Sequence, residues 1–322
     1  MSESGKFVTR VVSLPMNVRF RGITHREVML VQGPSGWAEW SPFLDYSGAE
    51  LRPWWEACRE WASEARPVPR RTTVPVNCTI PAVEPQRAHD LAAASGCRTA
   101  KIKIAEPGQS EGDDLERIAA VRDGLGPGGV VRVDANGAWS VDEAERRLIR
   151  LAREDLEYVE QPCMAVSDLA EVRHRLIRRG VHLAIAADES IRRSDDPWRV
   201  VELEAADVAV LKVQPLGGVK ACLDLAARLP IPVVVSSALE SSVGLAAGVA
   251  LAAALPELPY ACGLNTGGMF TADVTETPLR AVNGELPVTE VVVSPERVSA
   301  VAASPERQAF WQARLMATVG AA

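Results

Sequence analysis

The sequence predicts an α/β fold: a closed parallel barrel of eight strands and seven helices, joined to a smaller α+β domain built from both ends of the chain. Three observations predict it. Between residues 74 and 275, short Val- and Ile-rich runs alternate with longer amphipathic runs. The step of about 25 residues is that of repeated βαβ units, and eight such units close into a barrel. The first βα turn has no G-x-G-x-x-G, so an open dinucleotide-binding sheet loses its usual support. Residues 1–73 and 276–322 do not follow the alternation.

The first segment reads as two antiparallel strands, "RVVSLPMNVRF" and "REVMLVQGPSGWAEWSPF", with a Gly-rich turn, followed by the helix "GAELRPWWEACREWASEA". Trp54, Trp55 and Trp61 give that helix a heavy apolar face. In the barrel, "VPVNCTI" precedes "EPQRAHDLAAASG", "TAKIKI" precedes "GDDLERIAAVRDGLG", and "VVRVDA" precedes "SVDEAERRLIRLARE". "LEYVEQP" then leads to "SDLAEVRHRLIRRG", "HLAIAADES" to "DPWRVVELEA", and "DVAVLKV" to "GGVKACLDLAARLP". "PVVVSSA" precedes "SVGLAAGVALAAAL", and "YACGLNT" is the closing strand. Ser140 with Glu143 is a capping box, Ser167 a weaker cap, and Gly180 a helix stop. The tail holds a short strand, "TEVVVS", and a terminal helix capped by Ser304 with Pro305 in its first turn.

Composition narrows the function. The 322 residues carry a net charge of −7 and no long basic block, which disfavours nucleic acid as a partner. The start lacks an apolar signal core, and the Ala-rich run before Pro256 falls short of a membrane span, so a buried helix is expected there. Six scattered cysteines without a C-x-x-C pair argue against a thiolate zinc site and for a reducing, cytoplasmic setting.

The charged residues gather at the carboxyl ends of the barrel strands, where such barrels keep their chemistry. Strand 2 carries Lys101 and Lys103 on one face, because alternate strand residues point the same way. Strand 3 aligns Arg132, Asp134 and Asn136, strand 4 ends at Glu160, strand 5 at Asp188 and Glu189, and strand 6 at Lys212. Neighbouring strands lie roughly 5 Å apart, so acids on three consecutive strands converge. Three crowded carboxylates suit a hard dication such as Mg²⁺, or Mn²⁺ in its place. Asp134, Glu160 and Asp188 are the expected ligands, with Asp188 chosen over Glu189 by parity and with Arg132 and Glu189 in support. Lys103 and Lys212 would flank a small carboxylate substrate from opposite faces. A cation and Lys101 nearby disfavour the ammonium form of Lys103, as a base requires.

In these residues the chain resembles the enolase superfamily, in particular the muconate-lactonizing group with lysines on strands 2 and 6. The set "KIK", "VDAN", "EQP", "ADES" and "LK", in that order, carries the resemblance. It implies a modified TIM barrel, (β/α)₇β, over residues 74–275, with a capping domain of residues 1–73 completed by 276–322. It also implies metal-assisted removal of a proton beside a carboxylate. "WAEWSPFLDYSG", "SSALESSVGLAA" and "GLNT" point to a branch that dehydrates a cyclic hydroxy-carboxylate, with racemisation or cycloisomerisation as alternatives and a non-catalytic metal-binding scaffold as the least favoured. Lys103 would then be the base and Lys212 a steadying cation. Asn136, Ser237, Ser241, Ser242 and Gly244 would meet the substrate, and Leu44, Tyr46 and Ser47 would form a lid. No His lies near the ends of strands 6 or 7, and the last barrel loop lacks D-x-D, which sets aside mandelate-racemase-like and dipeptide-epimerase-like chemistry. Monomer and homo-oligomer both remain open.

Overall fold

The computed structural model describes residues 8–193 and 197–320. The chain opens with an antiparallel sheet of β1 (Val8–Phe20), β2 (Ile23–Gly33) and β3 (Gly36–Trp40), in that order. Phe20 pairs with Ile23, so only Arg21 and Gly22 make the first turn, and both have positive φ (49° and 78°). This is the backbone that lets a two-residue hairpin follow the strand twist. Helix α1 (Leu51–Ser63) lays Trp54, Trp55 and Cys58 against the sheet, as its apolar face predicts.

Next come β4 (Thr73–Pro75), β5 (Cys78–Ile80), α2 (Pro85–Ala94), β6 (Thr99–Lys103), α3 (Glu111–Leu125), β7 (Val130–Asp134) and α4 (Val141–Leu151). They are followed by β8 (Leu156–Glu160), α5 (Val166–Arg178), β9 (Ile185–Ala187), α6 (Glu189–Arg192), α7 (Arg199–Glu202) and β10 (Val208–Leu211). Then come α8 (Val219–Arg228), β11 (Val233–Val235), α9 (Ser242–Ala254), β12 (Glu285–Pro287), α10 (Pro295–Ala300) and α11 (Pro305–Gly320). Strands β5 to β11 form one parallel sheet in sequence order.

Several elements differ from the sequence reading. The expected eighth strand survives as two single bridges, Val76↔Cys262 and Ser236↔Gly263, which close the sheet on itself. A side chain at Gly263 would meet Ser236 Oγ at 2.5 Å, so this seam closes backbone to side chain with no room to spare. "VPVNCTI" splits: β4 leaves the barrel to pair with β12, and only β5 joins the sheet. "TEVVVS" is not a strand; the segment that finds a partner edge is Glu285–Pro287, just upstream. Ser167 lies inside α5, whose cap is Ala165. The helix expected at "DPWRVVELEA" is the short α7, and its Asp196 lies outside the described residues. An unexpected turn of helix, α6, follows Asp188 directly.

Two cores result. The barrel core includes Ile102, Val133, Val159 and Leu211 facing the helices, and takes in Leu279 and Leu286 from the chain after the barrel. The cap core joins β1–β3, α1 and α11, with Trp311 edge-on to Trp40 at 5.5 Å. Inside the barrel, below the acids, Tyr158, Val208, Val210 and Val234 fill a layer of their own. Arg132 sits in it, 4.7 Å over the Tyr158 ring and bonded to Ala261 O at 2.6 Å. All six cysteines are free and buried. The Ala-rich run is the buried α9, and among the described residues no helix is long and apolar enough to cross a membrane.

Candidate active site

Strand register assembles the site. Lys103 lies opposite Asp134 on β7, and Asp134 opposite Glu160 on β8. Glu160 pairs with Ala186 on β9, two residues before Asp188. Alternation then aims Lys101, Lys103, Asp134, Glu160, Asp188 and Lys212 into one chamber, as the sequence parity predicts. Each acid is held by a cation. Lys101 Nζ donates to Glu160 Oε2 at 2.8 Å, Lys212 Nζ to Asp188 Oδ2 at 2.6 Å, and Lys103 Nζ to Asp134 Oδ2. Lys103 also donates to Asn136 Oδ1 at 2.8 Å. Among the described residues no three acids, histidines or cysteines are gathered into a ready cage, because each carboxylate turns toward its own cation.

The donor set nonetheless fits a hard dication. Asp134, Glu160 and Asp188 are at most 1% exposed, and Glu160 Oε1 is buried without a hydrogen-bond partner. Burial, and then the charge of Asp134, push the Glu160 carboxyl up to about 7. Three carboxylates that raise one another's cost, one with an idle oxygen, are what a divalent cation relieves. Burial opposes ionisation of Asp188 as well, but Arg192 and Lys212 outweigh it and hold its carboxyl low. Burial lowers the Lys212 ammonium against the pull of Asp188. Burial would lower Lys101 too, yet Glu160 and Asp134 overcome this and raise it.

Three positioning groups lay outside the sequence reading. Gln161, fully buried with φ 41°, accepts from Asp188 N at 2.9 Å and donates to Ser190 Oγ at 2.7 Å, fixing the start of α6. Arg192, on α6, donates to Asp188 Oδ1 at 2.9 Å and to Glu189 Oε1 at 2.5 Å. Glu189 Oε1 also accepts from Asn136 Nδ2 at 3.5 Å, and its Oε2 is buried without a hydrogen-bond partner. Phe20, Arg21 and Phe43, from the cap, close the chamber to a void of about 40 Å³ beside the lysines. A wider cavity of about 560 Å³ opens next to it and shares Phe20, Arg21, Lys103 and Asn136.

The expected lid is placed differently. Leu44 is 63% exposed, Ser47 caps a surface turn with Glu50, and Tyr46 is buried with its hydroxyl accepting from Arg192. Phe43 is the residue of that segment that lines the chamber. Of the expected anion-receiving residues, Ser237 faces the chamber and shares a 2.8 Å hydrogen bond with Thr266. Ser241 and Ser242 have partners from within the chain. Ser241 N and Oγ donate to Glu39 at 3.0 and 2.5 Å, and Ser242 Oγ to Asp273 at 2.6 Å. A side chain at Gly244 would meet Glu240 Cβ at 2.7 Å and Glu39 Cδ at 2.9 Å. Gly244 thus makes room for two buried acids, and the start of α9 is filled by the cap's own carboxylate.

That junction titrates. Burial, and then the neighbouring Glu240, push the Glu39 carboxyl up to about 7 from its ordinary 4.5. A carboxyl raised on folding favours the protonated fold. Its contribution is fullest below pH 4.5 and is lost as pH rises through 7. The unfolding free energy from urea titrations is expected to decline across this window by about 3 kcal/mol, and Glu39→Gln to flatten the decline. An equal slope in the Gln variant would assign it elsewhere.

A parallel barrel closed at one seam, with lysines on its second and sixth strands facing three acids and an α+β cap over the mouth, defines a metal-dependent barrel enzyme of the enolase kind. Comparison with known proteins agrees. Residues 11–62 match the enolase N-terminal domain-like family and residues 85–292 the enolase C-terminal domain-like family. An o-succinylbenzoate synthase of Thermobifida fusca is 59% identical over 96% of this chain and 95% of its own, and one of Mycobacterium bovis 53% identical over 95% and 92%. The chain belongs to the o-succinylbenzoate synthase family of the enolase superfamily. Among solved structures, muconate lactonizing enzyme from Pseudomonas fluorescens superposes with a TM-score of 0.78 at 19% identity, covering 92% of this chain and 98% of its own, which shows the shared fold.

Proposed function

We propose that this chain is a hydro-lyase that dehydrates 2-succinyl-6-hydroxy-2,4-cyclohexadiene-1-carboxylate to 2-succinylbenzoate, a step of menaquinone biosynthesis carried out in the cytoplasm. The observation that carries this is the 59% identity to an o-succinylbenzoate synthase along nearly the whole of both chains. Asp134, Glu160 and Asp188 would hold Mg²⁺, with Mn²⁺ as substitute. The ion, when bound, supplies positive charge to the substrate carboxylate and so makes the adjacent C–H acidic.

The chain's own groups do the rest. Lys103, of the chamber's three lysines the one that also lines the outer cavity, takes the proton beside the carboxylate. Its contacts to Asp134 and Asn136 fix the amine before the substrate arrives. The electron pair left on carbon expels the ring hydroxyl, which takes up the proton from Lys103 and leaves as water. The ring becomes aromatic, which drives the step. Lys212, held by Asp188, keeps a fixed positive charge on the far side of the chamber. Phe20 and Phe43 exclude water above it.

The test is an ultraviolet assay for 2-succinylbenzoate, run beside racemisation of N-succinylphenylglycine. Dehydration should dominate. Lys212→Arg should abolish any racemisation, which needs a second proton-exchanging amine, while leaving measurable dehydration, which needs only the charge. Racemisation without dehydration would overturn the reading.

A further inference from the structure

Arg21 is an unusual choice for its place. It holds the first position of the two-residue β1–β2 turn at φ 49°, a left-handed conformation that Gly, Asn or Asp adopt with little strain. The next residue, Gly22, meets that demand without cost. A strained backbone carrying a large side chain suggests that the side chain is what matters.

The surroundings of the guanidinium are specific. It lines both the inner chamber and the outer cavity, in company with Lys103, Asn136 and Phe20. It lies 4.4 Å from the centre of the Phe43 ring, which Arg26 also approaches at 4.0 Å. The other cations of the chamber are each tied to an acid: Lys101 to Glu160, Lys103 to Asp134 and Lys212 to Asp188. Among the described residues Arg21 has no carboxylate partner. A guanidinium at the mouth of a ligand cavity, stacked on one face and with its donors unspent, is built to take an anion in two parallel hydrogen bonds.

Resting on the dehydratase reading, we infer that Arg21 is the receptor for the terminal carboxylate of the substrate's succinyl arm. The ring carboxylate belongs among the acids and lysines at the barrel floor. The second carboxylate, at the end of a flexible chain, has to reach out toward the cap, and Arg21 is the cap cation that lines both the inner chamber and the outer cavity, whereas Arg19 lines the outer cavity alone. Dicarboxylates would thereby be selected over monocarboxylates of the same shape.

The test measures binding to the Mg²⁺-loaded chain by calorimetry, with 2-succinylbenzoate against 2-butanoylbenzoate, which lacks only the terminal carboxylate. Charge-assisted hydrogen bonds of this kind correspond to about 10- to 100-fold in affinity, and the wild type should prefer the dicarboxylate by that factor. Arg21→Met should erase the preference while leaving 2-butanoylbenzoate affinity unchanged, and Arg21→Lys should restore part of it. Arg21→Gly should also erase it, yet melt at or above the wild-type temperature because the turn is relieved. A purely structural Arg21 would show the opposite pattern in melting. An undiminished preference in Arg21→Met, or none in the wild type, overturns the assignment. Turnover in the ultraviolet assay is read separately. A chain that dehydrates but does not discriminate loses only the Arg21 role. One whose Arg21-dependent preference persists without turnover loses only the dehydratase reading.

Discussion

Lys103→Ala is expected to lower kcat for dehydration by about 10³- to 10⁴-fold, the worth of a positioned proton-transfer group, with little change in melting temperature. The fold tolerates the loss because Asp134 keeps the backbone N–H of Asn136 at 2.9 Å and Lys101 at 4.0 Å. Lys103→Arg separates charge from proton transfer. It keeps the cation but, staying protonated at every neutral pH, cannot serve as a base, and it should be as inactive as the Ala variant. Activity within tenfold of wild type in either variant would remove Lys103 from the role of base.

The second large effect is in stability as well as rate. Asp188 is fully buried and holds two buried cations, Lys212 at 2.6 Å and Arg192 at 2.9 Å. Asp188→Ala strands Lys212 outright, while Arg192 keeps Glu189 at 2.5 Å. Breaking a buried ion pair costs roughly 3–5 kcal/mol because the remaining charge is left uncompensated. Urea unfolding should show a loss of that order, and excess Mg²⁺ should fail to restore activity. Asp188→Ala, Lys212→Met in combination should recover part of the stability but none of the activity. If the single variant unfolds at the wild-type midpoint, these charges are neutralised by water rather than by Asp188.

The convergence of the charged side chains was legible because strand alternation is a local rule. "KIK" and "VDAN" fix which residues face inward without any knowledge of what lies opposite, and β6, β7 and β8 obey. What failed was long-range. Ser241 reads as an anion receptor until Glu39, 202 residues away, arrives on the cap and fills it. The lid was sought at Leu44, Tyr46 and Ser47, but α1 draws Tyr46 onto Trp54, at 5.1 Å between rings, and leaves Phe43 over the chamber. "TEVVVS" has the residues of a strand but pairs with no sheet, whereas Glu285–Pro287 meets β4. Gln161 carried a weak signal: a polar residue directly after an expected ligand at the end of a buried strand.

The cap is stitched from segments on either side of the barrel. Helix α11 supplies Trp311, whose Nε1 donates to Glu27 at 2.8 Å, and Arg314, which donates to the carbonyls of Pro42, Phe43 and Tyr46. Before α11 is made, the loop bearing Phe43 has Arg26 4.0 Å from the Phe43 ring and Tyr46 packed on Trp54, but not the three carbonyl bonds from Arg314. A nascent chain would therefore hold the charged residues of the chamber under a roof not yet locked, and the last restraint on solvent entry arrives with α11.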